Sequence, residues 1–267
     1  MQLPLIDIGA NLTNKAFRDD LEEVLQRASE QGVQHIVITG TCVKSSAEAT
    51  QLAEQYPGLL YATAGIHPHD AKDFSSSSRP DILALSQHPS VKAIGECGLD
   101  FNRMFSSKEQ QIAAFEQQIE IAIEQQLPLF LHERDAHKEQ WEIIASYRDQ
   151  IPAAVIHCFT GDKREAFRYL DLDLYIGITG WICDERRGHH LHNFVGDIPL
   201  NRLMIETDAP YLIPRVKPKP KLASSRRNEP CTLPYVLQEI SRHRRESLEQ
   251  IAQATSNNAI RFFALND

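Results

Sequence analysis

The chain has 267 residues, 42% apolar and 24% charged, with 28 Lys+Arg against 36 Asp+Glu and a formal net charge of −8. This composition is that of a globular protein and excludes disordered and collagen-like chains. A net negative charge also argues against a polyanionic partner unless positive charge is concentrated in one patch.

The N-terminal stretch Leu3-Pro4-Leu5-Ile6-Asp7 lacks the basic and apolar regions of a signal peptide, and no apolar run reaches bilayer length. Cys42, Cys97, Cys158, Cys183 and Cys231 are odd in number and widely spaced, with no C-x-x-C pair. Such a pattern suits reduced thiols, so a cytoplasmic protein without membrane attachment is expected.

Short apolar, β-branched runs recur in order at residues 3–8, 33–39, 60–66, 91–95, 129–131, 153–156, 174–178 and 203–205. Between them lie segments with helical spacing. One spans 19–25; another spans 108–126 with Ile112, Phe115, Ile119 and Ala122 on one face. Strands alternating with helix-length segments imply parallel pairing through right-handed crossovers. Eight of them point to an α/β fold of the (β/α)8 TIM-barrel type, with an open doubly wound sheet as the alternative. No linker divides the chain, so a single domain over 1–267 is expected. Ser75 to Ser78 reads as a loop within one βα connection.

Residues 209–228 break the rhythm. Arg215, Lys217, Lys219, Lys221, Arg226 and Arg227 occur there without an acidic residue, and Pro214, Pro218 and Pro220 forbid a regular helix. In a barrel this long loop lies at the C-terminal face of the strands, where active sites are built.

Ionisable residues fall at the ends of the apolar runs: Asp7, His67, Glu96, His132, His157 and Asp208. Around a parallel barrel they converge at one mouth. Imidazoles and carboxylates together suit a divalent cation open to water, with Glu96, His132, His157 and Asp208 as the strongest ligand candidates. Strand alternation turns Cys97 away from Glu96 and Cys158 away from His157, which makes both cysteines packing residues. His69, two residues after His67, and Arg134, two after His132, belong to the same ends. Arg134, with Arg186 and Arg187, is placed to hold phosphate oxygens.

Five segments together resemble one family. They are Asp7-Ile8-Gly9-Ala10-Asn11-Leu12-Thr13, Gly65-Ile66-His67-Pro68-His69, Ala93-Ile94-Gly95-Glu96-Cys97-Gly98-Leu99-Asp100, His157-Cys158-Phe159-Thr160-Gly161 and Glu206-Thr207-Asp208-Ala209-Pro210-Tyr211-Leu212. With Arg226-Arg227-Asn228-Glu229-Pro230, they resemble the TatD family of metal-dependent deoxyribonucleases, in order and over nearly the whole chain. The resemblance implies an amidohydrolase-like barrel and a magnesium-dependent 3′-to-5′ exonuclease acting on 3′ ends of single-stranded DNA or RNA, with a part in DNA repair. By the same resemblance Glu96, His132 and His157 are metal ligands, Asp208 is a ligand or the base for the attacking water, and Glu96 and Asp208 are catalytic. His67 and His69 are implied near the scissile phosphate. From the charge of the loop, a single strand is expected to lie along Arg215 to Arg227, with Arg227 among the substrate-binding residues.

Much of the wider family opens with Asp-x-His-x-His, where this chain has Gly9 and Asn11. The departure leaves one or two metals open. The nitrogen-rich ligand set suits Zn²⁺ or Mn²⁺, whereas the resemblance implies Mg²⁺. Two other readings stand beside the nuclease: a metal-dependent hydrolase of a small amide, lactone or phosphoester, and a non-catalytic nucleic-acid binder. A monomer is expected.

Overall fold

The computed structural model describes residues 3–265. Strands and helices alternate: β1 (Leu5–Ala10), α1 (Leu21–Glu30), β2 (Val33–Ile38), α2 (Val43–Gln55), β3 (Leu60–Ala64), α3 (Ser78–Ser86), β4 (Val91–Asp100), α4 (Lys108–Gln125) and β5 (Leu129–Arg134). There follow α5 (His137–Tyr147), β6 (Ala154–Ile156), α6 (Lys163–Asp171), β7 (Tyr175–Ile178), β8 (Leu203–Ile205), α7 (Leu233–Ser241) and α8 (Leu248–Phe263). The strands form one sheet in the order β1 to β8, and the pairs β1–β2, β3–β4, β4–β5, β5–β6 and β7–β8 are parallel. Each strand lies beside its successor, which is the order of a (β/α)8 barrel. A doubly wound sheet reverses its order at a switch point, and this one does not.

Two compact units divide the chain. The first runs to Ile38, resumes at Cys158–Phe167 and continues from Ile176. Within it, the chain just past β8 extends the pairing with β1: Ala10 and Ala209 form a parallel bridge, and the Asn11 amide donates to the Ala209 carbonyl at 2.6 Å. Helix α8 begins with a capping box between Ser247 and Gln250. Its Asn258 amide donates to the Leu200 and Leu203 carbonyls, which anchors the start of β8.

The second unit comprises Thr39–His157 and Arg168–Tyr175. Its longest helix, α4, starts at a capping box between Ser107 and Gln110 and buries Phe115, Ile119 and Ala122, three of the four residues expected on one face. Ile112 is only half-buried. Two strands here outrun the apolar runs that announced them. β4 continues through Glu96 to Asp100 and β5 through His132 to Arg134, because the two keep pairing, Gly98 opposite His132 and Asp100 opposite Arg134. The register skips between Ile94 and Cys97, a bulge that places Glu96. Gly95 and Gly98, at φ 143° and 131°, allow it: a Cβ on either would strike the backbone of Phe130 or His132.

Among the described residues, no helix is long and apolar enough to cross a membrane.

Candidate active site

Four of the expected residues meet in the second unit around one oxygen. Glu96 Oε1 lies 2.8 Å from His157 Nε2, 3.0 Å from His132 Nδ1 and 3.3 Å from His67 Nε2. His67 caps a short 3₁₀ turn, Pro68–Asp73, and its Nδ1 accepts from the His69 amide at 3.1 Å. His132 points from β5, and His157 directly follows β6, its amide donating to the Leu131 carbonyl. Asp100, four residues along β4 from Glu96, forms a second anchor: its Oδ2 lies 2.7 Å from His69 Nε2 and 3.3 Å from His132 Nε2.

The electrostatics follow from burial and partners. Burial opposes a charge on Glu96, but the imidazoles of His157, His67 and His132 outweigh it and hold the carboxyl well below the usual range. Asp100 is likewise held low against its burial, by His132, the Arg103 amide and His69. His132 is also buried, yet the Asp100 and Glu96 carboxylates raise its pKa. Burial lowers that of His67.

These residues fit a divalent cation. His67, Glu96 and His132 each offer one ligand atom, all within 4.8 Å of one another, and His157 adds a nitrogen on the same carboxylate oxygen. A donor set of imidazole nitrogens and a carboxylate suits Zn²⁺ or Mn²⁺ better than an all-oxygen Mg²⁺ site.

The remaining expected residues are placed differently. Asp208 lies in the first unit, three residues past β8, with φ 54°. Its amide donates to the Gly9 carbonyl at 2.8 Å, and Asn11 Nδ2 donates to its Oδ1 at 3.0 Å. The two positions that lack histidines thus position Asp208 instead. Asp7 sits inside β1 rather than at its end, fully buried, and accepts from the Thr207 and Gly9 amides. Cys97 is buried as expected, while Cys158 leaves the strand at φ 45° and its amide donates to Glu206.

Arg134 closes β5 on the face of His132, half-buried. Arg227 is committed elsewhere. It bonds both oxygens of Asp20 at 2.6 Å, Glu229 at 2.7 Å and the Ala16 carbonyl at 2.6 Å, which ties the basic loop to the segment before α1.

The basic loop 209–228 forms part of a cleft of about 930 Å³ within the first unit, whose lining includes Trp181, Tyr211, Arg187, Lys217, Lys219 and Arg226. Its charge is smaller than the sequence suggested. Arg215 pairs with Glu185 at 2.9 Å, and Arg186 and Arg187 pair with Asp184 at 3.1 and 3.0 Å.

The chain matches the family described as TatD related DNase over residues 6–264. It belongs to that family. It is 48% identical to the 3′-5′ ssDNA/RNA exonuclease TatD of Edwardsiella piscicida and 49% identical to that of Yersinia pseudotuberculosis, in each case over 98% of this chain and all of the relative. Among solved structures it resembles a TatD homologue of Escherichia coli K12, with 29% identity, a TM-score of 0.87 and 98% of both chains covered. A TatD family hydrolase of Entamoeba histolytica gives 27% identity and the same TM-score, with both chains covered in full. A β-aspartyl dipeptidase of Fervidobacterium islandicum, 14% identical with a TM-score of 0.62, shares the fold alone.

In this TatD-family chain the sequence reading missed three buried glutamines. Gln118 on α4 receives the Ile66 amide at 2.7 Å and donates to the Ile66 carbonyl at 3.0 Å, fixing the residue before His67. Gln111 does the same for Asp100, at 2.8 and 3.0 Å, and Gln140 on α5 receives the Leu99 amide at 2.8 Å. The available signal was spacing. Gln111 and Gln118 stand seven apart on the face that carries Phe115 and Ala122, where a surface glutamine has no reason to be.

Proposed function

We propose that this protein is a metal-dependent 3′-to-5′ exonuclease of single-stranded DNA or RNA, acting through Glu96, His132, His157 and His67. The convergence of three imidazoles on Glu96 Oε1 carries the reading. Its TatD relatives, nearly half identical and matched end to end, supply the substrate class. A cation bound there would supply positive charge for the phosphodiester oxygens and a water acidified enough to attack at neutral pH. Mg²⁺ follows from the family, Mn²⁺ or Zn²⁺ from the donor set.

The chain's own residues divide the remaining work. Glu96 stays ionised and anchors the three rings. Asp100 holds His69 and His132 by hydrogen bonds that fix their ring planes. For Asp208 the assignment rests on the family resemblance: it stands in the segment 206–212 that matches the family, its Oδ1 is oriented by Asn11, and it is assigned the proton of the attacking water.

Phe105, 56% exposed, sets its ring edge-on to His69 with centroids 4.8 Å apart and offers a face on which a terminal base can stack. Tyr211, 54% exposed among the cations of the first unit's cleft, offers the same to a strand. A small-amide or lactone substrate would use neither the exposed aromatic rings nor Lys217 and Lys219. A cytoplasmic location and a part in DNA repair are proposed with the activity, on the sequence's widely spaced cysteines and on the family.

The test is end specificity. With a single-stranded oligonucleotide labelled at its 5′ end, the wild type is expected to produce a ladder shortening from the 3′ end, abolished by chelator and by Glu96→Ala. A Glu96→Ala protein with full chelator-sensitive cleavage would overturn the assignment.

A further inference from the structure

A second imidazole–carboxylate cluster lies within the first unit, on elements that carry none of the residues above: His192 in the 3₁₀ turn His189–Asn193, Glu239 on α7 and His243 in the turn after α7. Glu239 Oε1 lies 3.2 Å from His243 Nε2 and 3.5 Å from His192 Nε2, and the three donor atoms lie within 4.8 Å of one another. A tetrahedral zinc ion with bonds of about 2.0–2.1 Å sets neighbouring ligand atoms roughly 3.4 Å apart. Both measured edges are close to that separation.

The cluster is held in place from outside. Arg244 donates to the Val195 and Ile198 carbonyls at 2.7 and 2.8 Å, tying the segment after His192 to the turn that bears His243. The two imidazoles stack with centroids 4.1 Å apart and 17° between planes, so a shared ion requires one ring to turn about its Cβ–Cγ bond to bring both in-plane nitrogen lone pairs onto it. Arg242 takes the other carboxylate oxygen, Oε2, at 2.6 Å, so Oε1 is the oxygen turned to the rings. The side chains of His192, Glu239 and His243 are 17%, 12% and 26% exposed, which gives an ion a path in and leaves His243, the most exposed, room to turn.

We propose that His192, Glu239 and His243 bind a transition-metal cation, Zn²⁺ foremost, which staples the loop after β7 to α7. Two imidazoles and one carboxylate favour zinc, nickel or copper over magnesium. His192 Nε2 also bonds the Ile182 carbonyl at 2.8 Å. Binding exchanges that hydrogen bond for the metal–nitrogen bond, with the ring proton carried on Nδ1. The consequence is local: the stapled loop also carries Trp181, Asp184 and Arg187, which line the cleft. Metal at this site stiffens the wall against which a strand would lie.

The test uses the full chain, stripped with chelator and titrated with Co²⁺ as a visible probe and then with Zn²⁺. It is done in a Glu96→Gln background with and without His192→Gln/His243→Gln. The Glu96→Gln protein is expected to take up one more equivalent of Co²⁺ than the triple variant, with a tetrahedral visible band that Zn²⁺ displaces. Its melting temperature should rise with Zn²⁺ while that of the triple variant does not. Where the triple variant does not fold, Glu239→Gln keeps both rings and should weaken uptake by about tenfold or more. Equal stoichiometry and an equal Zn²⁺ shift with and without the substitutions would overturn the proposal, leaving a hydrogen-bonded surface pair.

Discussion

The two imidazole–carboxylate clusters offer the same donor types in different settings. Glu96 is buried among three imidazoles, and no arginine or lysine is bonded to it among the described residues. Glu239 shares its carboxylate with Arg242 and stands half-buried on α7 of the first unit. In the first setting only imidazoles or a bound cation can balance the charge. In the second an arginine already does so. Donor identity therefore does not decide chemistry here; what decides it is whether the carboxylate's charge is already spoken for and whether strands or turns hold the ligands.

The largest expected effect separates the two carboxylates. Glu96→Gln should bring cleavage of a single-stranded oligonucleotide down to the chelator-resistant background, while Glu239→Gln should act on KM through the cleft wall and spare kcat. Steady-state kinetics at saturating Mn²⁺ checks this, and equal losses of kcat in both variants would erase the distinction.

Next in size is the bracing of the first cluster. Gln118→Ala leaves the buried Ile66 amide and carbonyl without their side-chain partner, at about 1–3 kcal/mol for each lost bond. Displacement of His67 should then lower metal affinity or turnover by roughly 10–100-fold. A chemical-denaturation curve beside a Mn²⁺ titration measures both.

These glutamines mark the limit of what local pattern discloses. Glu96, His132 and His157 were readable because each closes an apolar run, and His67 because it follows one through a single proline-bounded motif. The fold was readable because eight short apolar runs recur along the chain with mostly helix-length segments between them. The bulge at Glu96 was not, since register depends on the neighbouring strand. Nor was the fate of Arg227, which pairs with Asp20, 207 residues away in sequence. A basic run read in isolation likewise overstates its field, because Arg215 meets Glu185 only in the folded chain. The helical spacing of Gln111 and Gln118 discloses that they are buried, but not which distant backbone they hold.

Smaller effects belong to substrate contacts. Phe105→Ala should raise KM about tenfold, from roughly 1–3 kcal/mol of lost base stacking, and leave kcat near its original value. Lys217→Ala/Lys219→Ala/Lys221→Ala should flatten the dependence of log KM on log salt by roughly 2, at about 0.7 for each lost phosphate contact. An unchanged slope would remove that loop from the interface.

Last comes a contrast between two buried carboxyls. Glu96 is kept ionised by its imidazoles. Asp7 is pushed up to about 8, by burial against the pull of Thr207 and Gly9 and with Glu206 adding to the rise. Folding therefore takes up a proton on Asp7. Its contribution to stability is full below about pH 4, the ordinary carboxyl value, and is lost as pH rises through about 8. Asp7→Asn should flatten the decline of the unfolding free energy between those limits, read from denaturation curves across the range.

The central claim is that the cation of this nuclease sits on Glu96. A crystal soaked in Mn²⁺, with anomalous differences collected at the manganese edge, tests it directly. The expected result is a strong peak bonded to Glu96 Oε1 and the surrounding imidazole nitrogens. A protein whose cleavage depends on Mn²⁺, yet whose only anomalous peaks lie away from Glu96, would contradict the account.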